Sequence, residues 1–328
     1  MKAILHTRYG PPDLLRLVEI EKPVPNDNEL LIAIHATTVS TGDCNMRNFT
    51  FVTPSMLPLA MLIFGIGKPW KARILGTEFA GEVESVGKKV TKFKTGDRVV
   101  ASTGMSAGGH AQYVCLSEEG ALALKSDSLT YEEAAAIPFG ANAALYFLRD
   151  LAKIQAGQEL LIIGASGSIG SAGVQLARHL GATVTAVCSG ANVDMVKSLG
   201  ATRAIDYTKE DFTARADTYD VIFDIVGATS FLRCRHALKP HGVFLQNIMG
   251  LTGMAGILWT AVAGGRKLKG GVAMENPARM NFIAGLVAAG ILKPVVDRSF
   301  PLERIADAFK YVEAGHKKGN VVITVAHP

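Results

Sequence analysis

Cysteine is scarce and scattered. The four are Cys44, Cys115, Cys188 and Cys234, and no two form a C-x-x-C pair. That pattern excludes a disulfide framework and a local redox motif, and in a cytosolic chain such thiols stay reduced. The eight histidines make no H-x-x-x-H pair, so metal binding has no local motif either. Long apolar runs are missing as well. The most apolar stretch, Met56 to Ile66, is too short to span a bilayer and contains Pro58 and Gly65. The start, Met1-Lys2-Ala3-Ile4-Leu5-His6, leads into a strand-like pattern without an apolar signal region, so a cytoplasmic location is expected. Basic residues form only short clusters, such as Lys88-Lys89 and His316-Lys317-Lys318, within a net charge of +5. With no basic stripe interleaved with aromatics, nucleic acid is not an expected partner.

What is present suits two globular domains. Apolar residues make up 48% of the 328 and charged residues 19%, enough to build two cores. Residues 1 to about 120 carry short Val/Ile/Leu runs separated by turns, among them Leu30 to Ile34, Gly81 to Val86 and Arg98 to Ala101. The style changes near residue 125. Thr130 with Glu133 three positions on reads as a capping box. From Gly157 onward apolar strands alternate with helical patterns: Glu159 to Ile163, helix Ile169 to Leu180, Thr183 to Val187, helix Val193 to Leu199, then Asp220 to Ile225 and Gly242 to Leu245. Such alternation implies an α/β fold with a doubly wound parallel sheet, helices on both faces. After about residue 295 the pattern returns to strand, amphipathic helix and strand, which predicts pairing back onto the first domain.

The strongest local signal is the turn Gly164-Ala165-Ser166-Gly167-Ser168-Ile169-Gly170, which follows a strand and opens a helix. Gly167 lets the backbone approach a pyrophosphate, and Gly170 lets the helix pack on the strand. The N–H groups of Ser168 and Ile169 point at phosphate from the positive helix end. A plain strand–helix turn has the same outline, and the β-α-β pattern around it argues for a nucleotide. The end of the second strand, Val187-Cys188-Ser189-Gly190-Ala191-Asn192, has no acid to hold a ribose 2′-hydroxyl. Its absence spares a 2′-phosphate from repulsion. Ser189 and Asn192 can donate to that phosphate, and Tyr207 is a third candidate. Ser189 also fits a simple helix cap, and Tyr207 surface packing.

Several segments together resemble the medium-chain dehydrogenase/reductase superfamily, in its quinone oxidoreductase and alkenal reductase branch. They are Gly76 to Val83, Val86 to Val90, Phe93 to Val99, Ala134 to Pro138, the Gly164 to Gly170 turn, Gly200 to Thr202 and Ala204 to Tyr207. The resemblance covers nearly the whole chain. It implies a β-rich GroES-like catalytic domain from residues 1–124 and 295–328, with a Rossmann domain at 125–294. It also implies hydride transfer from NADPH in the cleft between them. Val226, Gly227, Asn247 and Met249 are then expected to line the cofactor. Asn320 stands where the family's closing Gly-Lys-Val has Lys. The late strand Gly265 to Ala273 implies a homodimer.

The zinc enzymes of that superfamily use Cys and His where this chain has Ser40 and Thr77, and a third ligand near Pro138-Phe139, which offers none. A hydroxyl does not replace thiolate or imidazole on zinc, so no metal is expected. Loss of that Lewis acid disfavours alcohol oxidation and favours a quinone or enone, which spreads the developing charge. Asp43, Ser40 and Glu78 are the catalytic candidates by resemblance, and structural anchoring is the competing role for both acids. Phe49 to Trp70 fits three readings: a loop folded on the core, an apolar lid, or a membrane contact. The expected function is zinc-independent NADPH-dependent reduction of a quinone or enone. Alcohol dehydrogenase and non-catalytic NADPH binding are the alternatives.

Overall fold

The computed structural model describes residues 1–50, 57–70, 74–246 and 251–327. The chain separates into two compact units. One comprises Met1–Phe139 with Met274–Pro328, the other Gly140–Ala273. These limits differ from the expected 124/125 and 294/295. The capped helix Tyr131–Ala135 and the helix Pro277–Ala288 both pack on strands of the first unit, so they group with it.

The first unit is built on a seven-stranded sheet. In space its strands run Val296–Pro301, Asn320–Thr324, Glu29–Val39, Glu78–Val86, Arg98–Ser102 and Ala121–Leu124, and Tyr113–Ser117 also pairs with Glu29–Val39. The pairing of Val321 opposite Val39 through Thr324 opposite Ala36 brings the late strand into the sheet, as its pattern predicted. The core comes from alternating inward residues, including Ile32, Ile34, Phe79, Val83, Val99 and Ile323, closed over by Phe309. Thr130 caps Tyr131–Ala135 through the full box expected from the sequence, with Glu133 answering back to the Thr130 N–H.

The second unit is a six-stranded, wholly parallel sheet. Its strands are β1 (Glu159–Ile163), β2 (Thr183–Cys188), β3 (Arg203–Asp206), β4 (Tyr219–Asp224), β5 (Leu238–Gln246) and β6 (Lys267–Gly270). They lie in the order β3-β2-β1-β4-β5-β6. This is the doubly wound Rossmann order, whose direction of winding reverses beside β1. Leu161, Ile163, Val187, Ile222 and Phe244 supply much of the core. Two helices matter below: α1 (Ser168–His179) follows β1, and α2 (Leu251–Ala263) precedes β6. α2 packs on β6, where Thr260 Oγ1 accepts the Leu268 N–H at 3.1 Å. No helix among the described residues is long and apolar enough to cross a membrane.

Candidate functional site

In the second unit, β1 is followed by Gly164, whose φ of +85° is in the left-handed region. A Cβ on Gly164 would lie 2.7 Å from Val226 Cγ1, so the loops after β1 and β4 are in contact at the switch point. A Cβ on Gly170 would lie 2.2 Å from the Gly164 carbonyl oxygen. Only glycine permits that approach of helix to turn. Gly167 is different: its virtual Cβ meets nothing nearer than 3.7 Å, which leaves room for a ligand. Gly167 is the N-cap of α1 and no side chain caps that end. The Ser168 hydroxyl is buried without a partner. An uncapped helix start, an open glycine and an orphan hydroxyl fit the pyrophosphate of a dinucleotide. Ser166 is half-buried beside them.

The loop after β4 is held by one carboxylate. Asp224 is buried and accepts the N–H groups of Val226, Gly227, Ala228 and Thr229 at 2.9–3.3 Å. Burial pushes its carboxyl above the usual range, against the pull of those four donors. Val226 is thereby presented to solvent.

The tip after β2 departs from expectation in two ways. Cys188 is buried in the sheet opposite Asp206, and burial pushes its thiol up. Its side chain therefore belongs to the core, and Ser189 is the first residue of the tip. Asn192 Nδ2 donates to Ser189 Oγ at 3.1 Å, while Asn192 Oδ1 is buried without a partner. Secondly, the loop does have an acid beside it. Asp206, from β3, lies against Gly190 and accepts the Thr208 hydroxyl at 2.8 Å and the Thr208 N–H at 3.1 Å. These bonds, with the Gly190 N–H, hold its carboxyl below the usual range. The acid comes from the neighbouring strand, so a search of the β2 tip alone misses it. Tyr207 follows it and is largely exposed. Asn247 and Met249 lie outside the described residues.

In the first unit, the helix Thr41–Asn48 starts on a capping box. Ser40 Oγ accepts the Asp43 N–H at 3.0 Å and donates to Asp43 Oδ2 at 2.6 Å. Asp43 Oδ1 also accepts the Gly76 N–H at 3.2 Å. Both residues are buried, and Asp43 thereby ties the helix to the strand bearing Glu78. Glu78 is fully buried. It accepts the Thr38 hydroxyl at 2.5 Å and the Phe139 N–H at 2.7 Å. Burial raises its carboxyl to about 7, with Thr38 and Phe139 opposing. The Thr77 hydroxyl, beside it in sequence, is buried and has no partner. The sequence marks Thr77 only as a missing metal ligand, and its orphan hydroxyl is visible only in three dimensions.

Lys317 was also missed. Its Nζ donates to the Gly319 carbonyl at 2.5 Å. Burial pulls its ammonium below the usual range, while the Glu78 carboxylate opposes that. Asn320 is turned inward, and its Nδ2 donates to the Ala136 carbonyl at 2.8 Å and the Val295 carbonyl at 3.2 Å. Both amide hydrogens are spent, so the expected cofactor contact through Asn320 has no free donor. The residue serves to tie the closing strand to its neighbours.

The positions that bind zinc in related enzymes carry other donors here. Ser40 Oγ is committed to its capping box, and Thr77 offers only a hydroxyl. Cys44 is buried, and burial pushes its thiol up to about 12, so it stays protonated. This set does not fit a zinc ion. Among the described residues, no three His, Cys, Asp or Glu side chains cluster as a metal site.

One unit is a Rossmann sheet with an anion-ready glycine turn and the other a β-rich sheet closed by its own late strand, the two parts of a dinucleotide-dependent dehydrogenase fold. Known proteins agree. Residues 26–126 match the alcohol dehydrogenase GroES-like domain and residues 199–323 match the zinc-binding dehydrogenase family. The chain is 33% identical to the NADPH-dependent alkenal/one oxidoreductase of Arabidopsis thaliana, over 98% of this chain and 79% of that protein. It is 29% identical to the chloroplastic quinone-oxidoreductase homologue of Spinacia oleracea, over 98% of both. The structure of the Coxiella burnetii quinone oxidoreductase superposes with a TM-score of 0.85 at 28% identity, covering 99% of each chain. The chain belongs to the medium-chain dehydrogenase/reductase superfamily.

Proposed function

We propose that this enzyme reduces quinones or activated enones with NADPH and without zinc. The observation that carries the nucleotide is the turn after β1: open Gly167, an uncapped helix start and the unpartnered Ser168 hydroxyl. Bound there, NADPH supplies the hydride. Ser168 and Ile169 hold its pyrophosphate by their N–H groups, and the Val226-Gly227 loop borders the adenosine side. Ser189, with Asn192 and Tyr207, reads the 2′-phosphate. The protein donors already occupying Asp206 reduce its repulsion of that phosphate.

The acceptor is argued from what the first unit can donate. Thr77 has a buried hydroxyl with no protein partner, whereas the Ser40 hydroxyl is already donated to Asp43 Oδ2. Hydroxyls suit the oxygen of a conjugated carbonyl, whose own delocalisation lowers the demand for a Lewis acid. Asp43 and Glu78 act as positioning residues in this scheme. Asp43 orients Ser40, and Glu78 fixes Thr38 and Phe139. The four free thiols agree with a reducing compartment, here the cytoplasm.

The test is turnover of NADPH against a panel of quinones, alkenals and simple alcohols, with elemental analysis of the same sample. Oxidation of NADPH by quinones or alkenals, without stoichiometric zinc, is the expected result. Tight NADPH binding with no turnover on any acceptor would leave a non-catalytic binding protein. About one zinc per chain would overturn the donor argument.

A further inference from the structure

Three chain segments converge at one end of the first unit's sheet. Glu29–Val39 runs toward that end and passes into the helix Thr41–Asn48, while Glu78–Val86 and Asn320–Thr324 both start there, antiparallel to it. Val322 lies opposite Thr38, whose hydroxyl is donated to Glu78. Ser40 with Asp43, Thr77 with Glu78, and the turn that feeds Asn320 therefore share one sheet end. That turn runs from Gly315 to Gly319, with φ of +83° and +55° at its two glycines. A Cβ on Gly319 would lie 2.2 Å from the Val295 carbonyl oxygen, so the turn is held tightly against its neighbour. His316 and Lys318 are exposed and Lys317 between them is half-buried, so the turn sends this one side chain inward.

Nothing in the fold uses up that lysine. Its Nζ donates to the Gly319 carbonyl at 2.5 Å, its one hydrogen bond among the described residues. An ammonium has three donors, so two are left over. The titratable groups that face it are Glu78 from one strand, Cys44 from the helix and Asp297 from the strand Val296–Pro301. Glu78 is raised to about 7 and Cys44 to about 12, so neither is a strong counter-charge at neutral pH. Asp297 Oδ2 already accepts the Tyr311 hydroxyl at 2.8 Å and the Lys318 N–H at 3.0 Å. The buried Thr77 hydroxyl, at the same sheet end, has no partner either. Spare donors enclosed in this way suit the oxygen of a ligand.

We propose that Lys317 is the catalytic acid of the reduction, binding the acceptor's carbonyl oxygen together with Thr77 and giving it a proton. This rests on the reading of the protein as a quinone or enone reductase and supplies the proton source for it. The β-carbon of an enone takes the hydride, with its two electrons, from NADPH. The C=C pair shifts and leaves an enolate oxygen, which takes a proton from the Lys317 ammonium. One C–H and one O–H bond form, and one N–H bond of Lys317 breaks. The enol then becomes the saturated carbonyl by exchange with water, and the amine regains its proton from water. A quinone reduced by hydride gives the hydroquinone monoanion, which takes the same proton. Burial pulls the Lys317 ammonium below its usual range, which makes that proton easier to give.

The test compares wild type with Lys317→Met, which has no ammonium, and Lys317→Arg, which keeps the charge but releases no proton at neutral pH. NADPH titration should be unchanged in both. With an alkenal, kcat should fall at least about 100-fold in both. Wild-type kcat should decline as pH rises through the titration of the ammonium, and both variants should lack that limb. Added ethylammonium should restore part of the Lys317→Met rate and none of the Lys317→Arg rate. A readout without turnover is the absorbance of bound 4-nitrophenol, which wild type should hold ionised at a lower pH than Lys317→Met does. Normal turnover by either variant, an alkaline limb that survives in them, or equal ionisation of the phenol on wild type and Lys317→Met overturns the inference alone. Wild-type protein that reduces no acceptor overturns the reading beneath it as well.

Discussion

A carboxyl as deeply enclosed as Glu78 makes stability depend on pH. Its ordinary value is 4.5 and in the fold it lies at about 7. The folded protein therefore holds the proton over a window in which the unfolded chain releases it. The stabilisation is full below 4.5 and is lost as pH rises through about 7, in total roughly 3 kcal/mol. Denaturant unfolding across that window should show stability falling with pH, and Glu78→Gln should flatten the curve. An unchanged slope in the variant would mean that another group titrates. Ser189 gives a second test at this scale. Charge-assisted hydrogen bonds contribute about 1.5–3 kcal/mol. Ser189→Ala should therefore weaken NADPH by at least about tenfold and spare NADH, as measured by fluorescence titration. Equal losses for both cofactors would show that the tip does not read the 2′ position. An acid at Cys188 is a poor probe, since it would bury a charge beside Asp206.

Elements differ in how openly the sequence declares them. The turn after β1 was legible because its glycines follow an apolar strand and open a helix. The Thr130 box was legible from two residues. α2 was not, because a helix apolar all round has no 3.6-residue contrast to detect. Asp206 and Lys317 escaped for another reason: each reaches its site from a different strand or turn, and linear spacing does not record that. Part of the Phe49 to Trp70 segment, including Phe51, Pro54 and Met56, lies outside the described residues. Within the turn, the two later glycines should separate cleanly. Gly167→Ala has space, so stability should stay within about 0.5 kcal/mol while the Kd for NADPH rises. Gly170→Ala forces a methyl onto the Gly164 carbonyl and should cost roughly 1–3 kcal/mol in urea unfolding. Equal stability in the two variants would contradict the packing described.

At the scale of the whole molecule, assembly and synthesis are both at issue. β6 is an edge of the Rossmann sheet, and pairing it with its copy would give the expected homodimer. Light scattering at micromolar concentration should report twice the mass of 34.8 kDa. Thr260 already covers the Leu268 N–H, so Thr260→Val should leave that dimer no weaker. A monomer would remove edge pairing from the account.

The interior place of Asn320–Thr324 in the first sheet, between Val296–Pro301 and Glu29–Val39, has a consequence for the order of events on the ribosome. Its partner strand Glu29–Val39 leaves the tunnel hundreds of residues earlier, and its Ala36–Val39 end must wait unpaired on one flank while Tyr113–Ser117 covers the rest. The nucleotide unit, continuous from Gly140 to Ala273, has no such wait. Folding during synthesis is therefore expected to run opposite to chain order, the second unit closing before the first. Nascent chains stalled once Ala273 has cleared the tunnel should resist protease across Gly140–Ala273 and be cut within the first 139 residues. Early protection of the opening segment would mean that its sheet closes without the late strand.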